Sequence, residues 1–125
     1  MNVLIDTSVW VAHFRRRNDV LVDVILRDDG LTHPMVLVEL ACGTPPEPRA
    51  QTLSDIGLLR SARQATWAEI RTLIEREHLF GLGCGLVDLG LLASTLLTPD
   101  SRLWTLDRRL DELSQRFGVA YAPSV

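Results

Sequence analysis

Three acidic residues stand alone in apolar stretches of this chain. No other charged side chain lies within seven positions of Asp6, Glu39 or Asp88, with histidine counted as neutral. An unpaired charge on an apolar face costs several kcal/mol unless something compensates it. The usual structural partner is a buried Arg or Lys, and these apolar segments contain neither. A partner from a distant segment is the structural alternative for any one of the three.

A fourth acid matches them by its place in the chain rather than by isolation. Asp107 directly follows the apolar run "LWTL", as Asp6 follows "NVLI". The carboxyl ends of parallel strands meet at one edge of a sheet, and ligand sites of α/β proteins form beyond that edge. Asp107 has charged neighbours in Arg108 and Arg109, and Asp111 is a rival for its role. On spacing alone it is the weakest of the four.

Four converging carboxylates would favour binding of a hard divalent cation. Two unit charges about 4 Å apart repel by about 4 kcal/mol at an effective dielectric near 20, so such a cluster takes up protons or a cation. Oxygen-only ligands point to Mg²⁺ or Mn²⁺ rather than Zn²⁺. The hydroxyls of Thr7, Ser8 and Thr105 stand beside two of the acids and could orient them. This chemistry suits metal-assisted hydrolysis of a phosphodiester.

The elements that position these acids alternate between short apolar strands and helices. Strands or extended stretches are predicted at 3–5, "LTHP", "IGLLRSA", "RLWTL" and "VAYA". Helices are predicted at 7–14, from Asn18 to a close at Gly30, from Pro34, after "TPPEP", and over 64–79, 86–97 and 107–117. The pattern predicts an α/β fold, one domain over 1–125, with a central parallel sheet of four to five short strands flanked by helices.

Several side chains receive specific predictions. The three tryptophans are expected in the core, and the inward faces of two helices are predicted as Ala50, Leu53 and Ile56, and as Trp67, Ile70, Leu73 and Ile74. Cys42 and Cys84 are expected to be buried thiols in a reducing cytosol. Arg15, Arg16 and Arg17 either rim a groove for an RNA backbone or form a solvated helix end.

Composition excludes some function classes. The formal net charge is −3, and the 13 basic residues are all arginine, so no mechanism can use a catalytic lysine. A two-component receiver domain, which needs a lysine near its acidic pocket, is thereby disfavoured. A haloacid-dehalogenase-like phosphatase needs a DxD pattern after its first strand, and here the third position is Ser8. Glycines and Asp88 interrupt the Leu-rich 82–97 segment, and we expect no membrane span and no signal peptide.

Four motifs together resemble the PIN-domain ribonucleases, in particular the VapC-type toxins of toxin–antitoxin pairs. They are "LIDTSVW", "VLVELACG" after "THP", "GLVDLGLLASTLL" and "LWTLDRRL", in the family's order and across nearly the whole chain. By this resemblance Asp6, Glu39, Asp88 and Asp107 would be the acidic metal-binding quartet. Ser8 and Thr105 would be its supporting hydroxyls.

The resemblance also implies an activity and partners. The family cleaves RNA, often tRNA or ribosomal RNA, as Mg²⁺- or Mn²⁺-dependent endoribonucleases. A VapB-type antitoxin usually blocks the acidic pocket, homodimers are common, and the expected location is cytoplasmic. The alternative of a different class is a catalytically silent PIN-like module that docks a basic partner through its acids.

Overall fold

A computed structural model describes residues 1–123 as seven helices and four short strands. The strands are β1 (Asn2–Ile5), β2 (Gly30–Thr32), β3 (Arg60–Ser61) and β4 (Ser101–Trp104). The helices are α1 (Thr7–Arg15), α2 (Asp19–Leu26), α3 (Pro34–Cys42), α4 (Arg49–Gly57), α5 (Trp67–Glu77), α6 (Leu86–Leu97) and α7 (Arg108–Arg116). No helix in this range is both long and apolar enough to cross a membrane.

The strands form one parallel sheet in the order β3-β2-β1-β4. The chain moves outward from β1 through β2 to β3 and then returns to the other side of β1 for β4. The strand order therefore reverses between β1 and β4, and ligand sites form at such switch points. The predicted α/β fold, with a central parallel sheet and flanking helices, is confirmed.

The core lies on both faces of the sheet because β1 is apolar on both sides. Val3, Leu4 and Ile5 are all fully buried, which is the pattern of a central strand in a covered parallel sheet. Helix α6 packs against β4 and contributes a long buried run from Leu89 to Thr95. These contacts hold the sheet against the helix that carries Asp88.

The structure corrects four boundary predictions, and the helix predicted over 64–79 spans only Trp67–Glu77. Helix α2 ends at Leu26, and Gly30 begins β2 rather than closing the helix. In the "IGLLRSA" stretch only Arg60 and Ser61 form a strand, because its first residues complete α4. The "VAYA" stretch pairs with β4 through a single parallel bridge between Ala120 and Leu103.

Four burial predictions are wrong. Ala50 is exposed, and Trp67 is 68% exposed at the first position of α5, although Ile70 and Leu73 behind it are buried. Cys42 is exposed at the end of α3, and Cys84 is only half-buried; both are free thiols. Trp10 and Trp104 are buried as expected.

His33 caps the helix that carries Glu39. Its buried imidazole accepts the backbone N–H of Met35 at Nδ1 (3.0 Å), and Nε2 lies 3.0 Å from Oγ of Ser94. The Nδ1 acceptor role requires the neutral ring with its proton on Nε2. Burial lowers the pKa of His33 below its ordinary value.

This arrangement predicts a pH-dependent stability. The folded protein binds the His33 proton less tightly than the unfolded chain, so stability is full above the unfolded pKa. It falls as the pH drops from about 6.5 toward the lower folded pKa, by at most about 1.4 kcal/mol per pH unit. Urea unfolding at pH 7.5 and 5.5 should show this loss in the wild type and a smaller one in His33→Asn.

The matched control is His78→Asn. His78 is exposed and ends α5 in the left-handed region (φ 54°), which asparagine tolerates. The control should lose as much stability between the two pH values as the wild type. An unchanged pH dependence in His33→Asn would contradict the assignment to His33.

Candidate active site

The switch point of the sheet brings two of the predicted acids to one edge. Asp6 follows β1 and caps α1, and its backbone N–H continues the ladder by donating to the carbonyl of Trp104 (2.9 Å). Asp107 lies three residues beyond that carbonyl and caps α7 by accepting the N–H of Leu110 (2.9 Å). Each acid is therefore held at the start of a helix that follows a strand.

Asp6 is buried, and two hydroxyls bind the same carboxylate oxygen. Its side chain is 5% exposed. Ser8 donates to Oδ2 at 2.6 Å and Thr105 donates to Oδ2 at 2.8 Å. The two hydroxyls also accept backbone N–H groups, Ser8 that of Leu106 and Thr105 that of Asp107. The network thus fixes Asp6 and, through Thr105, the backbone of Asp107.

Helices α3 and α6 carry the other two acids. Thr7 donates to Oε1 of Glu39 at 2.6 Å. Contrary to the sequence expectation of an apolar face, Glu39 is exposed on α3, while Asp88 is half-buried in the first turn of α6. The close approach of the two helices is shown at Gly90, where an added Cβ would lie only 2.7 Å from Sδ of Met35.

The other three acids lie near enough to Asp88 to affect its pKa. Burial raises this pKa above its ordinary value, and the carboxylates of Asp6, Asp107 and Glu39 raise it further. The N–H of Gly85 opposes the rise. Asp111, the rival of Asp107, accepts a hydrogen bond from Gln115 instead (2.7 Å) and does not contribute to the pKa of Asp88.

Each of the four carboxylates keeps one oxygen without a hydrogen-bond partner in residues 1–123. The partnered oxygens are Oδ2 of Asp6, Oε1 of Glu39, Oδ2 of Asp88 and Oδ1 of Asp107. None of these acids forms an ion pair with an arginine of the described chain. The donor set of oxygens only, with uncompensated charge, fits a hard divalent cation.

The carboxylates are neighbours, yet they do not converge as a finished ligand shell. No three His, Cys, Asp or Glu side chains between residues 1 and 123 are arranged so that they could hold a metal ion. Mutual repulsion opposes convergence when no cation is present. Glu39 and Asp107 are exposed side chains and have the freedom to move inward.

Arg109 is a feature of this edge that the sequence shows only as a charged neighbour of Asp107. The guanidinium of Arg109 packs against Gly83, at the position that a Cβ would occupy, and Gly83 has a positive φ of 84°. Arg109 also offsets the effect of the nearby acids on the pKa of Cys84, which burial and then Asp88 raise.

The fold and the site define an α/β protein with an acidic pocket at the carboxyl edge of a parallel sheet. No model of a protein family matches the sequence. The chain is 38% identical to Ribonuclease VapC32 of Mycobacterium tuberculosis, in strains CDC 1551/Oshkosh and H37Rv, over 98% of both proteins. This chain belongs to the VapC family of PIN-domain ribonucleases.

A solved structure has the same fold. A chain in the structure of VapBC-1 from nontypeable Haemophilus influenzae superimposes with a TM-score of 0.70. The match covers 98% of both chains at 11% sequence identity, so it bears on the fold alone.

The Asp6 network predicts different effects for two buried threonines. Thr105→Val removes a donor to a buried carboxylate and should lower the free energy of unfolding by about 1–3 kcal/mol. Thr32 is also buried, at the end of β2, but its Oγ1 has no partner in residues 1–123. Thr32→Val should therefore be neutral or stabilising. Urea unfolding in EDTA measures both, and equal losses would contradict the network.

The raised pKa of Asp88 gives a second stability prediction. Its charged form is disfavoured in the fold at neutral pH, so Asp88→Asn should leave the metal-free protein as stable as the wild type or more stable. Asp23→Asn on the exposed face of α2 is the matched control and should change little. Thermal unfolding in EDTA provides the comparison. A clearly lower Tm for Asp88→Asn would mark Asp88 as a structural partner instead.

Proposed function

We propose that this protein is a Mg²⁺- or Mn²⁺-dependent endoribonuclease and the toxin of a toxin–antitoxin pair. The observation that carries the proposal is the cluster of four carboxylates at the switch point of the sheet. Each retains one unpartnered oxygen within the described chain, and none is neutralised there by an arginine. A structural role alone would leave this repulsion uncompensated.

Asp6, Glu39, Asp88 and Asp107 are the residues that would hold the cation. When bound, a divalent ion supplies positive charge for the scissile phosphate and lowers the pKa of an attacking water. Ser8 and Thr105 hold Oδ2 of Asp6 in place and leave its Oδ1 free of protein partners in residues 1–123. Thr7 similarly restrains Oε1 of Glu39. These hydroxyls orient the carboxylates and do not themselves react.

Membership of the VapC family supports RNA as the substrate, since the relatives at 38% identity are named ribonucleases. Internal cleavage fits a site that is open at the sheet edge, with two of its acids on exposed surfaces. Transfer RNA and ribosomal RNA are the substrates to test first. Since these RNAs are cytoplasmic, we propose that the protein acts in the cytoplasm. We also propose that one nuclease domain spans residues 1–125.

A VapB-type antitoxin is the proposed protein partner, and the similar solved structure is that of a VapBC assembly. The carboxylates of Glu39 and Asp107 are exposed, and neither forms an ion pair with an arginine of the described chain. Both are therefore available to a basic antitoxin segment. Such a segment would block the acidic cluster. We also propose that the free toxin is a homodimer.

The same exposed carboxylates favour a second candidate, a silent module that docks a basic partner. The two candidates differ in the effect of a divalent ion. Occupation by a cation activates an enzyme, whereas it competes with a basic partner for a docking site. RNA cleavage by antitoxin-free protein therefore discriminates between them.

The activity test compares the wild type with two variants that each lose one carboxylate charge. In Mn²⁺ or Mg²⁺, the wild type should cut bulk tRNA or ribosomal RNA, and also a circular RNA, which has no ends for an exonuclease. Asp88→Asn should lose more in rate than the roughly 10- to 100-fold that removal of an outer-shell partner of a metal ligand costs, whereas Asp23→Asn should retain wild-type activity. Mn²⁺ should raise the Tm of the wild type and of Asp23→Asn but not that of Asp88→Asn.

Two results would contradict the proposal. Undiminished cleavage by Asp88→Asn would remove that residue from the metal site. No cleavage of any RNA by folded wild type with either metal would favour the docking module.

A further inference from the structure

A groove of about 480 Å³ opens beside Glu39, and Asp6 does not line it. The end of α1 forms one wall with Val11, Phe14 and Arg15, and the other wall is formed by the end of α3 and the segment that follows it. We name it the Arg15–Glu39 groove after the charged residues that line it. Its size is in the range of small-ligand sites.

Arginines of the run at the end of α1 differ in whether they line the groove. Arg15 lines the groove, and it forms no ion pair or side-chain hydrogen bond with the described chain. Arg17 is committed to Asp19, with Nε 2.9 Å from the carboxylate, and does not line the groove. The charge of Arg15 is therefore available to a ligand, although Glu39 shares the same groove.

The composition of the walls matches one nucleotide of an RNA chain. A guanidinium binds phosphate through charge-assisted hydrogen bonds. Val11 is 37% exposed and, with Phe14, gives an apolar surface for a base. Thr44 adds an exposed hydroxyl for a sugar or base edge. Glu39 joins the groove to the acidic cluster, so a nucleotide held here continues into that site.

We propose that the Arg15–Glu39 groove binds the RNA nucleotide next to the scissile phosphate, with Arg15 on its phosphate. This inference rests on the proposed function, because a cation at the acids offsets the repulsion between Glu39 and a phosphate. The charge of Arg15 decides between ligand classes inside the groove: it attracts a polyanion and repels a basic peptide segment that lies between the groove walls. Arg15 also lies in the last turn of α1, where a cation favours the helix dipole. Arg16 and Arg17 lie next to the same helix end, so this effect does not distinguish them.

Gly43 offers a way to fill the groove without disturbing the fold. It lines the groove with an ordinary negative φ of −100°. A Cβ there would meet only the carbonyl oxygen of Leu40, at an ordinary 3.7 Å. Gly43→Leu should therefore fold and occupy the space that the base would enter.

The experiment measures binding of a fluorescein-labelled, random-sequence 12-nucleotide single-stranded RNA by anisotropy. All proteins keep the four acids, and Ca²⁺ replaces Mg²⁺ to supply the divalent charge at the acids while limiting cleavage; gel analysis checks that the RNA stays intact. Arg15→Ala should weaken binding about three- to tenfold and reduce the slope of log K against log salt by about one, the signature of one lost phosphate contact. Arg15→Lys should keep the slope. Gly43→Leu should weaken binding with the slope unchanged.

Arg17→Ala is the matched control, since it removes the same charge from the same arginine run outside the groove. It should leave the affinity within about twofold of the wild type and the slope unchanged. Equal effects of Arg15→Ala and Arg17→Ala would overturn the proposal in favour of a diffuse field. Unchanged RNA binding by both Arg15→Ala and Gly43→Leu would also overturn it and assign the groove to a protein segment.

Cleavage of tRNA in Mg²⁺ separates this inference from the proposed function. If the wild type cuts tRNA and Arg15→Ala has the same kcat/KM, the groove proposal fails and the nuclease stands. If the wild type cuts no RNA but binding still depends on Arg15 and not on Arg17, the groove stands and the nuclease proposal fails.

Discussion

A buried carboxylate without a cationic partner is the constraint on which the rest of this structure depends. Asp6 is 5% exposed and is satisfied by two hydroxyls and by the helix end that it caps. One hydroxyl comes from the first turn of α1 and the other from the residue after β4. Both reach Oδ2 only if β1 and β4 are adjacent, parallel and in register, as the pairing of Ile5 with Trp104 requires. The same bonds thus specify the sheet edge and orient the acid, because a loss of register would leave a buried charge without hydrogen-bond partners.

The other acids depend on packing at longer range. Asp88 lies near Asp6 because α6 packs along β4, and Glu39 lies near both because Gly90 on α6 admits the Met35 side chain of α3. Burial raises the pKa of Asp88, and the neighbouring carboxylates raise it further, because bringing like charges together is unfavourable without a cation. The carboxylate most firmly fixed is the buried one, while the exposed ones retain freedom. Such a gradient suits a site that completes itself around a ligand.

The sequence predicted the features that local pattern determines. Isolation of an acid in an apolar run singles out Asp6, whose role in a metal site stays a prediction. Helix α6 is predicted with its observed bounds because a Leu-rich run fills it and the turn "TPDS" ends it. Trp67 continues the 3.6-residue spacing of the buried face of α5, so the sequence predicts it in the core. It is exposed because it lies in the first turn of the helix, which the core does not reach. Cys42 is predicted to be buried because cysteine usually is. Its exposure at the end of α3 does not follow from its residue type. The contact of Arg109 with Gly83 joins distant segments, so no local pattern could reveal it.

The charge distribution links the acidic cluster to the surface around it. With four site acids set aside, 12 of the 16 acidic residues remain against 13 arginines, so the rest of the surface is close to neutral. A polyanion approaching the sheet edge therefore meets repulsion from the cluster and attraction from a few arginines such as Arg15. A cation held by the four carboxylates would replace the repulsion from the cluster with attraction. In the proposed function, RNA and the divalent ion must then strengthen each other's binding by the same factor, since coupling between two ligands is reciprocal. Under the proposed function, the acidic site therefore binds RNA more strongly when the cation is bound.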